Sequence, residues 1–210
     1  MHVAELWRYP VKSMRGEPLR EVEVRAEGFV GDRLVRVEED GQRVTGRTRP
    51  ALLGLAATLS PEGEPLVDGV SWRSDEAASA VRAAAGEGAV MVGANGSRFF
   101  DDTPLLVATD GMIDSFGIDR RRLRPNVVVA GVEGMAERDW EGRLLRAGEA
   151  VIRLDQLCER CVMTTIDPDS LELDPGVLRR INEELGGLAA INSSVERPGR
   201  IAVGDAVELL

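Results

Sequence analysis

Short apolar stretches separated by polar residues predict a chain built mainly from β-strands. The segment 19–25 alternates valines with charged residues, which is typical of a strand with one buried face. The Asp40-Gly41 pair predicts a hairpin between strands at 34–37 and 43–45. Further strands are predicted at 90–92, 105–108, 126–130 and 150–154, and also at 201–203 and 206–209, the last two as a closing hairpin across Gly204-Asp205.

Capping residues predict a small number of short helices among these strands. The predicted helix starts are Ser74 before 75–85, Thr109 and Asp110 before an apolar face of Met112, Ile113 and Phe116, and Asp174 with Pro175 before a helix that ends at Gly186. Strands and helices do not alternate regularly, which argues against a doubly wound parallel sheet. The pattern therefore favours a mixed, mainly β fold with short helices, of barrel-like or related architecture.

Composition restricts the classes of partner. The 210 residues include 43% hydrophobic residues, which is enough for an ordinary globular core. A net charge of -10 and only 4% aromatic residues argue against nucleic acid and anionic membranes as partners. The longest nearly apolar run, 51–59, is too short to span a bilayer, and residues 1–12 lack the pattern of a signal peptide. With two cysteines only, we expect a soluble protein in the reducing cytoplasm.

The chemistry available to the chain is limited by its histidine content. His2, near the start of the sequence, is the only histidine. This excludes Ser-His-Asp and Cys-His catalysis, and it excludes histidine-based zinc or iron sites. Any reaction must therefore use cysteine, carboxylates, arginine, lysine or a bound cofactor.

The segment Cys158-Glu159-Arg160-Cys161 contains both cysteines. They can be structural, since free cysteine is often simply buried. A thioredoxin-like redox pair is an alternative, although the threonines and Pro168 that follow do not favour the helix it needs. A third interpretation is one thiolate ligand for a soft metal, since Arg160 favours the thiolate form of Cys161. A structural zinc site would need two more ligands, and no second Cys or His pair supplies them.

Arginines are concentrated in two segments of this acidic chain. One holds Arg43, Arg47 and Arg49, and the other holds Arg120, Arg121, Arg122 and Arg124. Single arginines are usually solvated surface charges. Two dense clusters favour a phosphate-bearing or similar oxyanionic ligand, which guanidinium groups bind in bidentate fashion. The carboxylates of Asp167 and Asp169 are either general acid or base groups or parts of a turn.

Taken in order, several motifs resemble the MOSC-domain family, especially the mitochondrial amidoxime-reducing components and their bacterial relatives. The motifs are Tyr9-Pro10-Val11-Lys12-Ser13, Gly31-Asp32-Arg33, Thr45-Gly46-Arg47, Asp102-Thr103-Pro104-Leu105-Leu106, Arg122-Leu123-Arg124-Pro125-Asn126, Glu137 with Trp140, Cys158 through Asp169, and Pro198 through Asp205. They span nearly the whole chain. The segment 189–192 departs from the family, which commonly has an aromatic-glycine element there.

The resemblance implies a fold and a set of site residues. It implies a smaller β-rich N-terminal MOSC subdomain at 1–97 and a MOSC β-barrel domain at 98–210. Cys161 would ligate molybdenum beside the dithiolene of one molybdopterin, and Asp167 would orient the site or relay protons. The remaining cofactor contacts would be Lys12, Ser13, Arg33 and Arg47 from the N-terminal side, and Thr103, Arg124 and Asn126 from the MOSC side.

The resemblance also implies a function. We expect a molybdenum-cofactor-dependent oxidoreductase that reduces small N-hydroxylated compounds of the amidoxime or hydroxylamine type. The electrons would come from a separate donor protein, because the sequence offers no further cysteines for an iron–sulfur centre. Two alternatives stay open, namely sulfur transfer through a persulfide on Cys161 and non-enzymatic carriage of the cofactor.

Overall fold

The computed structural model describes residues 1–96 and 98–210, and it confirms a mainly β chain with short helices. Within the described residues the strands are β1 (His2–Arg8), β2 (Glu17–Leu19), β3 (Glu21–Arg25), β4 (Gly28–Phe29), β5 (Val35–Glu39), β6 (Gln42–Val44), β7 (Ala57–Leu59), β8 (Pro65–Val67), β9 (Val70–Ser71), β10 (Ala89–Gly93), β11 (Leu105–Thr109), β12 (Val127–Ala130), β13 (Leu144–Ala147), β14 (Ala150–Glu159), β15 (Leu188–Arg197), β16 (Gly199–Ala202) and β17 (Val207–Leu209). The helices are α1 (Asp75–Ala85), α2 (Asp110–Phe116) and α3 (Pro175–Leu185), with 3-10 turns at Pro50–Gly54, Arg120–Arg122, Ala136–Asp139 and Val162–Thr165. None of these helices combines the length and the apolar character needed to cross a bilayer.

An eight-stranded sheet in the order β17-β13-β14-β15-β11-β12-β1-β2 forms the centre of the fold. Neighbouring strands are antiparallel except β11 and β12, which are parallel. No pairing among the described residues joins β17 to β2, so this sheet is open. It takes β1 and β2 from the N-terminal region and its other strands from the region after residue 98. The boundary predicted at Ser97 lies outside the described residues and stays a prediction.

Three smaller sheets surround the central one, in the orders β10-β5-β6, β16-β3-β4 and β7-β8-β9. The predicted hairpin between β5 and β6 is confirmed, and Val37 pairs with Val44. Its turn residues Asp40 and Gly41 have φ angles of 51° and 73°, the left-handed values that a tight hairpin turn requires. Here a local sequence signal and the observed structure agree.

The predicted closing hairpin at 201–209 is wrong. β16 pairs with β3, and β17 pairs with β13 in the central sheet. The backbone N–H of Gly204 donates to the carbonyl of Val3 at 2.8 Å, and the N–H of Val3 donates to the carbonyl of Asp205 at 2.9 Å. The N–H of Val203, which would pair across a hairpin at Gly204-Asp205, instead donates to the carbonyl of Arg20 at 2.8 Å.

Both faces of the central sheet are covered by hydrophobic cores. All five residues of β11 are buried. Leu105 and Val107 belong to the core shared with β3 and β16, whereas Leu106 and Ala108 belong to the core that contains residues of α2 and α3. A third core joins β5, β10 and α1 in the N-terminal region. The residues predicted to bind the cofactor or to act in catalysis lie in the loops between these elements.

The helix caps predicted from sequence are confirmed. Ser74 accepts a hydrogen bond from the N–H of Ala77 at 3.1 Å at the start of α1. Asp174 accepts one from Gly176 at 2.9 Å at the start of α3. Thr109 accepts one from the N–H of Met112 at 3.2 Å at the start of α2. Each cap satisfies a backbone donor that the first turn of a helix leaves without a partner.

Candidate functional site

A cavity of about 500 Å³ lies between loops of the N-terminal region and the end of β14. We call it the main cavity. Its polar lining includes Lys12, Ser13, Arg33, Thr45, Arg47, Asp101, Asp102, Thr103, Arg122, Arg124, Asn126, Gln156, Cys158, Glu159, Arg160, Cys161 and Asn192. All eight residues for which the sequence predicts cofactor contacts are in this lining. Asp167 is not.

Three of these residues have strained backbones. Ser13, Arg33 and Arg124 have φ angles of 69°, 49° and 58°, in the left-handed region that L-residues seldom occupy. Such conformations cost on the order of 1–3 kcal/mol each and persist only where surrounding contacts hold them. Since all three lie in one lining, the fold holds these side chains in fixed directions around the cavity.

Tyr9 supports two of the arginines. The guanidinium carbons of Arg33 and Arg124 lie 4.5 Å and 4.3 Å from the centroid of its ring. Burial raises the pKa of Tyr9 to about 12, and its neutral hydroxyl donates to the carbonyl of Pro125 at 3.1 Å. Burial also lowers the pKa of Arg124 to about 10, which leaves it charged at neutral pH. Arg124 further donates to the carbonyl of Met14 at 2.8 Å.

Asp32 is the carboxylate that positions Arg33. It is fully buried, forms an ion pair with Arg33 and accepts a hydrogen bond from the N–H of Tyr9 at 2.7 Å. Asn126 donates to Asp32 at 3.3 Å and to the carbonyl of Trp7 at 3.2 Å. Both donor hydrogens of the Asn126 amide are thus used within the protein, which makes Asn126 a positioning residue in this structure.

Lys12 is the only lysine of the chain, and it is held at the edge of the main cavity. Its side chain is 8% exposed; Nζ donates to the carbonyl of Phe99 at 2.9 Å and pairs with Asp101 at 3.0 Å. Burial lowers the pKa of Lys12 to about 8, and the Asp101 ion pair partly opposes that shift. Burial alone would raise the pKa of Asp101, but Lys12, Arg47 and Arg43 hold it below its usual value.

The two thiols are free and half-buried. Cys161 directly precedes the 3-10 turn Val162–Thr165, so its side chain is placed at the start of a tight turn. Burial alone would lower the pKa of Arg47, but the nearby Cys161 and Asp101 side chains raise it above its usual value. Cys158 instead accepts a hydrogen bond from Nη1 of Arg160 at 3.1 Å. Arg160 is therefore hydrogen-bonded to Cys158, whereas Arg47 lines the main cavity together with Cys161.

Asp167 acts on the cavity only indirectly. Its Oδ2 atom accepts a hydrogen bond at 2.8 Å from Nη2 of Arg122, which lines the cavity. Its Oδ1 atom accepts from the backbone N–H groups of Asp169 and Ser170 at 3.0 Å and 2.9 Å. Hydrogen bonds from the backbone of Ser170 and Asp169 hold the pKa of Asp167 below its usual value. The Asp167 side chain is therefore an ionised carboxylate at neutral pH.

The donor set of the main cavity fits a phosphorylated ligand. Six cationic side chains line it, from Lys12 and from Arg33, Arg47, Arg122, Arg124 and Arg160, against three carboxylates from Asp101, Asp102 and Glu159. The Nε atom of Arg160 is buried and has no hydrogen-bond partner among the described residues. The described part of the chain holds no group of three or more His, Cys, Asp or Glu side chains suited to a metal ion. A metal held here by a single thiolate would therefore need its other ligands from the bound molecule.

Sequence reasoning missed several residues that build this site. Tyr9 and Asp32 were within the motifs but were not predicted to act, because their roles depend on tertiary contacts. Arg122 was predicted only as a member of the second arginine cluster, and not for its contact with Asp167. Arg160 was predicted to favour the thiolate of Cys161, yet its guanidinium contacts Cys158. Its position between the two cysteines was the available signal for a role at the cavity.

Comparison with known proteins assigns the family. The model of the MOSC N-terminal beta barrel domain matches residues 1–81, and the model of the MOSC domain matches residues 107–208. Mitochondrial amidoxime reducing component 2 from Macaca fascicularis is 26% identical over 98% of this chain and 82% of that protein. Mitochondrial amidoxime-reducing component 1 from Homo sapiens is 23% identical over 99% of this chain and 82% of that protein.

A solved structure agrees at the level of the fold. The crystal structure of the YUAD protein from Bacillus subtilis matches with a TM-score of 0.54 and 14% identity. The match covers 99% of this chain and 93% of that chain. This likeness concerns the fold alone, and the two domain models assign the family. The chain belongs to the MOSC family and carries a MOSC N-terminal beta barrel domain ahead of its MOSC domain.

Proposed function

We propose that this chain is a molybdenum-cofactor-dependent oxidoreductase that reduces small N-hydroxylated compounds with electrons from a separate donor protein in the cytoplasm. The supporting observation is that one cavity combines the Cys161 thiol with six cationic side chains. The names of the mammalian relatives, amidoxime-reducing components, support the substrate class. When bound, the molybdenum cofactor would supply the two-electron chemistry that no side chain of this chain provides.

The protein contributes binding and orientation in this proposal. Arg33 and Arg124, fixed on Tyr9, would bind the phosphate of the cofactor with Lys12 and Ser13. Thr103, whose hydroxyl accepts from the N–H of Ser193 at 3.0 Å, and Arg47 line the same cavity and would add further contacts to the cofactor. Rigid guanidinium groups suit this role because planar bidentate contacts fix an oxyanion in one orientation.

Cys161 would be the one protein ligand to molybdenum. Cys161 lines the main cavity together with Arg47, and a cysteine thiolate is a ligand that soft metals prefer. Asp167 would be a positioning residue, since it reaches the cavity through Arg122 and is ionised at neutral pH.

The test compares two cysteine variants of the full chain, produced in a host that makes molybdenum cofactor. Molybdenum is measured by elemental analysis, pterin by fluorescence after oxidation, and reductase activity with an aromatic amidoxime and a reduced viologen dye. We expect about one molybdenum per chain in the wild type and in Cys158→Ser, and loss of metal and activity in Cys161→Ser. Full metal content and activity in Cys161→Ser would overturn the ligand assignment.

Sulfur transfer is a second candidate, because the same cavity holds two thiols and the described residues hold no group of three metal-binding side chains. In that case Cys161 would carry a persulfide, and mass spectrometry would find one extra sulfur on it in protein without molybdenum.

A third candidate, cofactor carriage, predicts bound molybdenum and pterin with no turnover of any N-hydroxylated compound. The experiment above separates the three.

A further inference from the structure

A second pocket of about 320 Å³ adjoins the main cavity. Its lining consists of Lys12, Arg36, Arg43, Arg98, Phe99 and Phe100. Lys12 and Phe100 also line the main cavity, so the two spaces share a wall. All four charged residues of the second pocket are cations, and none of its lining residues is acidic. Such a lining in a chain of net charge -10 is unusual enough to require an explanation.

The carboxylates around the second pocket do not balance its cations. Asp101 is shared, since it lies 3.0 Å from Lys12, 3.1 Å from Arg43 and 3.4 Å from Arg47. Glu38 pairs with Arg36 at 2.7 Å. Asp101 is thus shared by two cations of this pocket, Lys12 and Arg43, and by Arg47 outside it, so it neutralises the pocket only in part. The remaining positive charge attracts anions.

Arg98 has donor capacity that the described residues do not use. Its Nε atom is buried and lacks a hydrogen-bond partner among them. The nearest carboxylate oxygen, from Glu27, is 3.9 Å from Nη2, too far for a hydrogen bond. A buried donor without a partner costs about 1–3 kcal/mol, so a ligand that accepts from Arg98 would recover that free energy.

The pocket also offers a flat apolar wall. The guanidinium carbon of Arg36 lies 4.4 Å from the centroid of the Phe99 ring, which fixes the arginine against the wall. Phe100 lies beside it in the lining. A stacked guanidinium keeps its N–H edge in a defined direction, and such arginines bind phosphate oxygens well.

We propose that the second pocket is a binding site for a phosphorylated small molecule, with Arg36, Arg43 and Arg98 as its phosphate-binding residues. This site is separate from the residues proposed to hold the molybdenum cofactor, apart from Lys12 in the shared wall. It explains Arg43, which belongs to the first arginine cluster and has no role in the main cavity. The inference does not depend on the proposed reductase activity.

The experiment measures pyrophosphate binding to the full chain by calorimetry at fixed ionic strength. Arg36→Gln and Arg98→Gln each remove one phosphate donor, and we expect each to weaken binding by about tenfold or more. Arg73→Gln is the matched control, because Arg73 also lies on an aromatic ring, 4.2 Å from the centroid of Trp72, but outside the pocket. The control is expected to bind like the wild type.

Two results would overturn the proposal. One is equal affinity in the wild type, Arg36→Gln and Arg98→Gln. The other is loss of binding in Arg33→Gln or Arg124→Gln with normal binding in Arg98→Gln, which would place the anion in the main cavity. A nucleoside diphosphate that binds more tightly than pyrophosphate would identify a nucleotide as the natural ligand, and equal affinities would identify free phosphates.

A further measurement uses only the wild-type protein and so does not depend on the folding of variants. Lys12 is the only lysine, so an amine-selective reagent modifies one side chain besides the N-terminal amine. We expect pyrophosphate to slow modification of Lys12 severalfold, since the anion would bind beside Nζ. Modification at an unchanged rate, at saturating pyrophosphate, would overturn the proposal.

Discussion

Nη1 of Arg160 donates a hydrogen bond to Sγ of Cys158 at 3.1 Å, while Nη2 of the same arginine donates to the carbonyl of Leu123 at 2.8 Å. The backbone N–H of Arg160 is also bonded, to the carbonyl of Gly187 at 2.9 Å. Arg160 therefore links the Cys158 thiol to two neighbouring loops. Cys161 has no hydrogen bond to Arg160 among the described residues, and it lines the main cavity together with Arg47. The two cysteines should respond differently to substitution.

We predict that Cys158 matters for stability more than for the cofactor. Cys158→Ser keeps an acceptor for Arg160, whereas Cys158→Ala leaves that donor without a partner. We expect Cys158→Ala to lower the free energy of unfolding by about 1 kcal/mol, and Cys158→Ser by less, in urea denaturation of the two variants. Loss of molybdenum in Cys158→Ser as complete as in Cys161→Ser would show instead that both sulfurs ligate the metal.

We predict that Asp167→Asn lowers reductase activity by roughly tenfold, because Arg122 loses its charged partner and moves within the cavity. The pH profile of kcat should keep its shape, since a positioning residue moves no proton. Asp169→Asn is the matched control, because Asp169 pairs with Arg121 at 2.7 Å and neither residue lines the main cavity. If one limb of the pH profile disappears in Asp167→Asn, Asp167 relays protons after all.

Local signals account for the elements that the sequence predicted correctly. Ser74 and Asp174 start their helices through contacts two or three residues away, and the Asp40-Gly41 turn needs no distant partner. β15 (Leu188–Arg197) was missed, because its polar centre of Asn192 and the following serines does not resemble a strand. It is stabilised as a strand by pairing with β14 and β11, which is information that a local pattern does not contain.

In the candidate site, too, some features could be predicted from local motifs and others depend on tertiary contacts. Motif order was enough to select Lys12, Arg33 and Arg124, and the structure brings their side chains to one cavity. The pattern did not show that Tyr9 supports the two arginines. Tyr9 and Arg124 are 115 positions apart in the sequence, so the ring contacts Arg124 only in the folded chain. Asn126 was predicted to contact the cofactor, but its amide donors bind within the protein. Which atoms remain available to a ligand is a tertiary property.

We predict a pH dependence that arises from Lys12. Its pKa of about 8 in the folded protein is below the usual 10.5, so between these values the unfolded chain binds more protons than the folded one. Stability should therefore rise with pH in this window, by up to about 1.4 kcal/mol per pH unit. Anion binding should weaken as pH rises through about 8, because the ammonium charge is lost.

The measurement is urea denaturation and pyrophosphate titration between pH 7 and pH 10. Lys12→Met removes the titrating group, and its stability should lack the rise that the wild type shows. Lys12→Arg keeps a cation over the whole range, so its anion affinity should not fall near pH 8. Identical pH curves for the wild type and Lys12→Met would show that other groups control the titration.

Gly111 lies in the first turn of α2, where there is no room for a side chain. A Cβ atom at Gly111 would lie 2.2 Å from the carbonyl oxygen of Gly134 and 2.4 Å from that of Val132. The helix cannot easily move away, because the Asp110 carboxylate accepts from the N–H of Val132 at 3.1 Å. We expect Gly111→Ala to destabilise the protein by about 3 kcal/mol. Gly117→Ala, where a Cβ would meet nothing within 4 Å, should cost only about 1 kcal/mol for its φ of 67°. Thermal unfolding of the two variants checks this, and equal losses would mean that the loop at Val132 relaxes to accept the methyl group.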